Sequence, residues 1–140
     1  MSQQPLVLIV DDDQNIRHVL ARLFTSLGFA TAEAETNSEA LAQALLLQPQ
    51  LITTDMSRAG GSGLSLVEQI RTSAPIQSIP IVMISGSASE ADREQAEQLG
   101  NTVTMWKPFT PAKIPATVER VFPRDQWGNL KQRSTSNPTS

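Results

Sequence analysis

Residues 51–57 read Leu-Ile-Thr-Thr-Asp-Met-Ser, a short apolar and β-branched run that ends in a single carboxylate, Asp55. Pro49 stops a helix from running into this segment, so the pattern predicts a buried β-strand with Asp55 at its carboxyl end. In open sheets of alternating strands and helices, ligands bind beyond the carboxyl ends of the strands. An aspartate here is either a turn former or part of a functional site, and the rest of the chain favours the second interpretation.

The composition predicts one domain and excludes several kinds of site. The chain has 140 residues, enough for a single hydrophobic core, and no cysteine, which excludes disulfides, thiolate metal sites and a cysteine nucleophile. Its net charge of −3 gives no basic footprint for nucleic acid. No apolar run approaches the roughly 20 residues of a membrane span. We therefore expect a cytoplasmic protein that binds neither nucleic acid nor membranes.

Five units of strand followed by helix are predicted along the chain. The predicted strands are residues 6–10, 29–35, 51–54, 79–84 and 102–106. The predicted helices carry Ile16, Leu20, Leu23, Phe24 and Leu27 in the first, Leu41, Leu45 and Leu46 in the second, and Leu64, Val67 and Ile70 in the third; the fourth is capped by residues 89–92, and the fifth starts near Thr110. Pro115 is expected to bend the fifth helix or delay its start.

Repeated units of this kind predict a parallel α/β sheet with right-handed crossovers. Beyond Pro123 the composition turns polar, so we divide the chain into a domain of residues 1–123 and a disordered tail of residues 124–140. Trp127 and Leu130 could hold part of that tail against the domain.

Polar residues follow four of the predicted strands, at ends that such a sheet brings together. They are Asp11, Asp12 and Asp13 after the first strand, Asp55 after the third, Ser85 after the fourth and Lys107 after the fifth. Neighbouring carboxylates repel each other, so a site that gathers them recruits a cation, and oxygen ligands favour Mg²⁺. The set suits phosphoryl transfer to Asp55 as nucleophile, with Lys107 and Ser85 on the phosphoryl oxygens. Asp13 is expected to cap the first helix instead.

Over residues 6–122 the chain resembles the receiver domain of two-component response regulators. The landmarks are Val10-Asp11-Asp12, Asp55, Gly63-Leu64, Ser85-Gly86 and Lys107-Pro108-Phe109. The resemblance implies a flavodoxin-like, doubly wound (βα)5 fold with five parallel strands in the order 2-1-3-4-5. It makes Asp55 the phosphoacceptor and Lys107 and Ser85 its catalytic and switch partners. It implies Mg²⁺ held by Asp12, by Asp11 through water, by Asp55 and by the backbone carbonyl of Ser57.

The same resemblance implies partners and an output. A histidine kinase or phosphotransfer protein would supply the phosphoryl group, and a downstream protein would bind the face formed by helix four, strand five and helix five. Such a domain catalyses its own phosphorylation and dephosphorylation but turns over no external substrate. We expect a stand-alone receiver of the chemotaxis-regulator kind, or the first part of a longer regulator.

Two departures from the family pattern bear on the function. Arg58-Ala59 and Ser62-Gly63 stand where the family usually has Met-Pro and Asp-Gly after the phosphoacceptor. Thr104 stands where the family often has a switch aromatic, and we hypothesise that Trp106, or no aromatic, takes that role. The altered positions leave open a phosphorylation-independent adapter. An aspartyl-nucleophile phosphatase, with Asp11 and Asp13 as its acidic pair, is a weaker alternative.

Overall fold

The computed structural model describes residues 4–58, 61–86 and 90–127, in which five strands of one sheet alternate with five helices. The strands are β1 (Leu6–Val10), β2 (Ala30–Ala34), β3 (Leu51–Asp55), β4 (Ile81–Ser85) and β5 (Thr102–Trp106). The helices are α1 (Gln14–Ser26), α2 (Asn37–Leu47), α3 (Gly63–Arg71), α4 (Glu90–Gln98) and α5 (Lys113–Val118). A small hairpin of Ser57–Arg58 with Gly61–Ser62 lies between β3 and α3.

All strands of the main sheet are parallel, in the order β2-β1-β3-β4-β5. This confirms the order predicted from the sequence. The strand order reverses between β1 and β3, where crossovers on opposite faces open a crevice beyond the carboxyl ends. The five predicted strands agree with the observed ones to within two residues at each end.

Two hydrophobic cores lie on the two faces of the sheet. One packs α1 and α5 against the sheet and contains an aromatic group of Phe24, Phe29, Phe122 and Trp127. The other packs α2, α3 and α4 against the opposite face. Both faces of β1 are therefore covered, which explains why its sequence is an uninterrupted apolar run.

Asp13 caps α1, as predicted. Its carboxylate accepts hydrogen bonds from the backbone N–H groups of Asn15 and Ile16. Thr36 caps α2 by accepting from the N–H of Glu39, while the Glu39 carboxylate accepts from the N–H of Glu35. Both interactions satisfy N–H groups that the helical pattern leaves without a partner.

Helix α2 buries only part of the face that its leucines predict: Leu41 packs against the core, but Leu45 and Leu46 do not. Ala40 and Ala44 are buried against the sheet, whereas Leu45 and Leu46 are exposed. The small alanines let the helix approach the sheet closely, and the leucines at its carboxyl end then point away from the core.

The start of α5 also differs from the prediction. The chain makes a turn over residues 110–113, and the helix begins at Lys113 rather than beside Thr110. The later start places Pro115 in the first turn, where its missing N–H removes no helical hydrogen bond. Of the two effects expected of Pro115, the structure shows the delayed start.

The chain continues against the domain after Pro123. Residues Arg124–Gln126 form a 3₁₀ turn, and Trp127 is buried with its indole N–H donating to the carbonyl of Phe122 at 2.8 Å. The Arg124 guanidinium lies 4.7 Å from the centre of the indole ring. Trp127 thus holds the chain to the domain as expected, while Leu130 and the rest of the predicted tail lie outside the described residues. The division at Pro123 stays a prediction.

In the part of the chain that the structure describes, every helix is too short or too polar to cross a membrane.

Candidate functional site

Asp55 and Lys107 meet at the carboxyl edge of the sheet. Asp55 is the last residue of β3, Lys107 follows β5, and the Lys107 ammonium nitrogen lies 3.5 Å from an Asp55 carboxylate oxygen. The Asp55 side chain is 14% exposed and that of Lys107 is 29% exposed. At this distance the Lys107 ammonium can stabilise negative charge on a group bonded to the Asp55 carboxylate.

The loop after β1 brings two further carboxylates to the same edge. Asp11 is buried, its N–H donates to the carbonyl of Ala34, and its carboxylate accepts from the N–H of Asp13 at 2.9 Å. Burial raises the pKa of Asp11, and the negative charges of Asp55 and Asp12 raise it further, against the lowering effects of the Asp13 N–H and of Lys107. Asp11 is therefore close enough to both Asp55 and Asp12 to be repelled by each of them.

Ser85 ends β4 and is buried beside the same lysine. Its carbonyl accepts a hydrogen bond from the backbone N–H of Lys107 at 2.7 Å. In the β4–β5 register Ser85 lies opposite Trp106. A displacement of Ser85 would therefore shift Lys107 and Trp106 as well, because the backbones of β4 and β5 are hydrogen-bonded at this end.

Thr104 and Trp106 line one cavity of about 310 Å³ beside α5, with Lys113, Thr117 and Arg120 among the other lining residues. Thr104 is buried, and its hydroxyl has no hydrogen-bond partner in the described part of the chain. Trp106 is 41% exposed. A small residue at position 104 thus leaves space next to an indole ring at the mouth of the cavity.

Gly63, at the start of α3, lies against the backbone of the candidate acceptor. Its N–H donates to the carbonyl of Met56 at 2.8 Å. A Cβ atom at position 63 would lie 2.6 Å from the Asp55 carbonyl oxygen and 2.9 Å from the Met56 Cα. Glycine is required here by close approach rather than by an unusual dihedral angle.

The site residues on the hairpin can be placed only in part. The backbone of Ser57 pairs with that of Ser62. The side chain of Arg58 and all of Ala59 lie outside the described residues, so the proposed effect of this altered loop on Asp55 stays a prediction.

The donors at the edge of the sheet suit Mg²⁺. They are oxygen atoms. Burial raises the pKa of Asp11 most, and the charges of Asp55 and Asp12 add to it; a cation would relieve this second contribution. Within the described ranges, no three acidic or imidazole side chains lie close enough together to hold a metal ion by themselves. Mg²⁺ does not need three, since it keeps several waters and binds one or two carboxylates. Asp12, Asp55 and the Ser57 carbonyl are the predicted ligands.

Arg17 is a residue at this site that sequence reasoning missed. Its guanidinium donates to the Asp11 carbonyl and to the Glu33 carboxylate. The signal was available, because Arg17 precedes Leu20 and Phe24 by three and seven positions and so shares the buried face of α1. A charged residue on such a face needs polar partners.

Comparison with known proteins assigns the family. Residues 7–119 match the response regulator receiver domain. The chain is 31% identical over 139 residues to the phosphate regulon transcriptional regulatory protein PhoB of Shigella flexneri, covering 96% of the chain and 61% of PhoB. It is 29% identical over 119 residues to the chemotaxis protein CheY of Pseudomonas aeruginosa, covering 84% of the chain and 96% of CheY.

The solved structure of CheY4 from Vibrio cholerae superimposes with a TM-score of 0.79 at 27% identity, covering 85% of this chain and 99% of that one. The chain spans only between half and three-fifths of the length of the PhoB proteins it matches. The sheet order, the site geometry and these matches agree, and the chain belongs to the response regulator receiver domain family of two-component signalling.

Proposed function

We propose that this chain is a stand-alone receiver that accepts a phosphoryl group on Asp55 from a histidine kinase or a phosphotransfer protein and signals by changed protein binding. Receiver domains are signalling modules; phosphorylation on aspartate and use of Mg²⁺ are features of the family. The observation that carries the assignment to Asp55 is its position 3.5 Å from Lys107 and within repelling distance of Asp11.

The charge and polarity of each side chain at the carboxyl edge of the sheet determine its role in phosphoryl transfer. A carboxylate oxygen of Asp55 forms a bond to phosphorus while the bond from phosphorus to the donor's imidazole nitrogen breaks. The Lys107 ammonium stabilises one phosphoryl oxygen, and the Ser85 hydroxyl donates to another. Mg²⁺, when bound, neutralises part of the phosphoryl charge. Dephosphorylation at the same site is the second reaction proposed for this chain: water attacks phosphorus, the bond from phosphorus to the Asp55 oxygen breaks, and inorganic phosphate and the free carboxylate are the products.

The switch follows from the added charge. Phosphorylation replaces the single charge of the Asp55 carboxylate with a phosphoryl group of about −1.5 to −2 charges, beside the remaining carboxylates of Asp11 and Asp12. We expect Lys107 and Ser85 to move toward it, and the bond from the Lys107 N–H to the Ser85 carbonyl couples the two movements. Trp106 and Thr104 lie on the strand that follows, so the face formed by α4, β5 and α5 is the proposed surface for the downstream protein.

The adapter alternative has less support. A docking module that works without phosphorylation has no need to keep Asp11 buried next to other carboxylates, since burial of that charge costs stability. The feature that favours the adapter is Thr104, which lines a cavity where the family often has a switch aromatic.

The test is the intact mass of the protein after incubation with Mg²⁺ and acetyl phosphate. We expect one phosphoryl group on the wild type, none on Asp55→Asn and none when the metal is chelated. Asp92→Asn, on the exposed surface of α4, is the matched control and should be labelled like the wild type. Absence of label on the wild type, with histidine kinases also tried as donors, would favour the adapter. Labelling of Asp55→Asn would show that another aspartate is the acceptor.

A further inference from the structure

Arg17 holds the peptide group that joins Asp11 to Asp12. One terminal nitrogen of its guanidinium donates to the Asp11 carbonyl at 2.6 Å, and its Nε donates to a carboxylate oxygen of Glu33 at 3.0 Å. The Arg17 side chain is 14% exposed and that of Glu33 is 35% exposed. Hydrogen bonds to a charged donor in such a half-buried position are stronger than those on the open surface.

In the loop after β1, other hydrogen bonds hold the groups on either side of the peptide group that joins Asp11 to Asp12. The Asp11 N–H is held by the Ala34 carbonyl of β2, and the Asp11 carboxylate is held by the N–H of Asp13. The Asp13 carbonyl accepts from the backbone N–H of Arg17 as α1 begins. These bonds fix the backbone at Asp11 and at Asp13. Between them, the Asp11 carbonyl is oriented by its hydrogen bond from the Arg17 side chain, and the same peptide group carries the N–H of Asp12.

We propose that Arg17 is a positioning residue for the cation site: it orients the peptide group between Asp11 and Asp12, and Glu33 holds its guanidinium in place. The inference rests on the proposed function, because it concerns the Mg²⁺ that this function uses. Arg17 does not touch the metal or the phosphoryl group. It acts through the backbone, by fixing the peptide group at the start of Asp12, a predicted ligand of the cation.

The need for such a residue follows from the charges. The charges of Asp55 and Asp12 both act against that of Asp11, so this loop carries a repulsion that its backbone contacts must withstand when no cation is bound. Mg²⁺ demands near-ideal octahedral geometry, so separation of its ligands lowers its affinity directly. The planar guanidinium has donors in fixed directions and can hold a carbonyl and a carboxylate at once, which a lysine does less well.

The experiment measures Mg²⁺ affinity from amide chemical shifts in a titration with MgCl₂. For Arg17→Met we expect an affinity lower by about tenfold, the usual effect of removing a partner of a ligand-bearing group. The rate of labelling by acetyl phosphate should fall at low Mg²⁺ and return toward the wild-type rate at saturating Mg²⁺. The Mg²⁺ affinity of Arg17→Lys should lie between those of the wild type and Arg17→Met. Arg22→Met, on the exposed side of the same helix, is the control and should bind Mg²⁺ like the wild type.

Thermal unfolding of each variant separates positioning from general loss of structure. If Arg17→Met is unfolded at the titration temperature, Glu33→Ala takes its place, since this partner is one-third exposed and its loss frees the guanidinium without removing it. A folded Arg17→Met or Glu33→Ala protein with wild-type Mg²⁺ affinity would overturn the inference and leave the proposed function intact. A wild type that binds no Mg²⁺ would reject the proposed function as well.

Discussion

The backbone of Gly63 lies so close to that of Asp55 that a Cβ atom at position 63 would come within 2.6 Å of the Asp55 carbonyl oxygen. The contact joins the first residue of α3 to the last residue of β3, on either side of the hairpin. It couples the position of the candidate phosphoacceptor to the start of the helix that follows.

Replacement of Gly63 by alanine should therefore disturb the site. The added methyl group must displace the Asp55 backbone, and such overpacking typically costs about 1–3 kcal/mol of unfolding free energy. We expect urea unfolding to show that loss and the rate of labelling by acetyl phosphate to fall. Gly86→Ala is the matched control, because its methyl group would meet only the Lys107 side chain at 3.8 Å. Equal stability and labelling in the two variants would show that the contact has no influence on Asp55.

Asp11 should make stability depend on pH. Burial and the neighbouring carboxylates raise its pKa in the folded state above the ordinary value of 3.8, so the folded protein binds this proton more tightly than the unfolded chain does. The contribution of Asp11 is then most favourable below that ordinary value and is lost as pH rises through the raised pKa. Asp11→Asn should unfold at a higher urea concentration than the wild type at pH 7.

The difference between Asp11→Asn and the wild type should shrink as pH falls, because protonation neutralises the wild-type carboxyl group. Urea unfolding at a series of pH values measures it, with Asp125→Asn, an exposed acid in the 3₁₀ turn, as the control. A difference that is constant with pH would mean that the charge of Asp11 is not what limits stability.

Arg71 should support the fold without supporting the chemistry. Its guanidinium donates to the carbonyls of Gln77, Ile79, Gly100 and Asn101 and to the Thr102 hydroxyl, at 2.7–3.1 Å. These groups lie around the amino ends of β4 and β5, opposite the Asp55 edge. Arg71→Met removes this donor from the two part-buried acceptors, the Ile79 carbonyl and the Thr102 hydroxyl. The penalty for leaving a fully buried acceptor without a donor is about 1–3 kcal/mol.

We therefore expect Arg71→Met to lose no more than about 3 kcal/mol of unfolding free energy, and to be labelled at Asp55 at the wild-type rate below its unfolding temperature. Arg71→Lys, which keeps a charge but fewer donors, should lose less. A folded Arg71→Met protein with impaired labelling would show that the two ends of the sheet are coupled.

Trp106 should report phosphorylation. It lies opposite Ser85 in the strand register and is 41% exposed, so movement of Ser85 toward a phosphoryl group should change the solvent contact of the indole ring. Trp127 is buried in the core that packs α1 and α5 against the sheet, where its ring contacts Phe29 and Phe122. In Trp127→Phe the emission should still change on addition of Mg²⁺ and acetyl phosphate. Unchanged emission in a labelled sample would leave the switch without an aromatic reporter.

The sequence predicted the sheet and the residues at its edge because both follow from local patterns. An apolar strand covered on two faces, or an aspartate placed to cap α1, is visible in a few consecutive residues. Residues that follow parallel strands also converge at one edge of the sheet, which is why Asp55 and Lys107 could be predicted to lie close together.

Features that depend on contacts between distant segments were not predicted. Arg17 and Arg71 take most of their partners from other elements, and nothing near them in sequence identifies those partners. The packing of α2 through Ala40 and Ala44 depends on how closely the helix can approach the sheet. The partners of these arginines and the buried face of α2 are determined by tertiary packing, which cannot be predicted from local helix and strand propensities.

The most direct test of the account locates the phosphoryl group itself. The protein phosphorylated with Mg²⁺ and acetyl phosphate is reduced with borohydride, which converts an aspartyl phosphate to homoserine, and the modified residue is identified by peptide mass spectrometry. The account predicts homoserine at position 55 alone, and no conversion when Mg²⁺ is chelated or when Lys107 is replaced by methionine. Conversion at Asp11, Asp12 or Asp92, or none at any aspartate of a labelled protein, would contradict it.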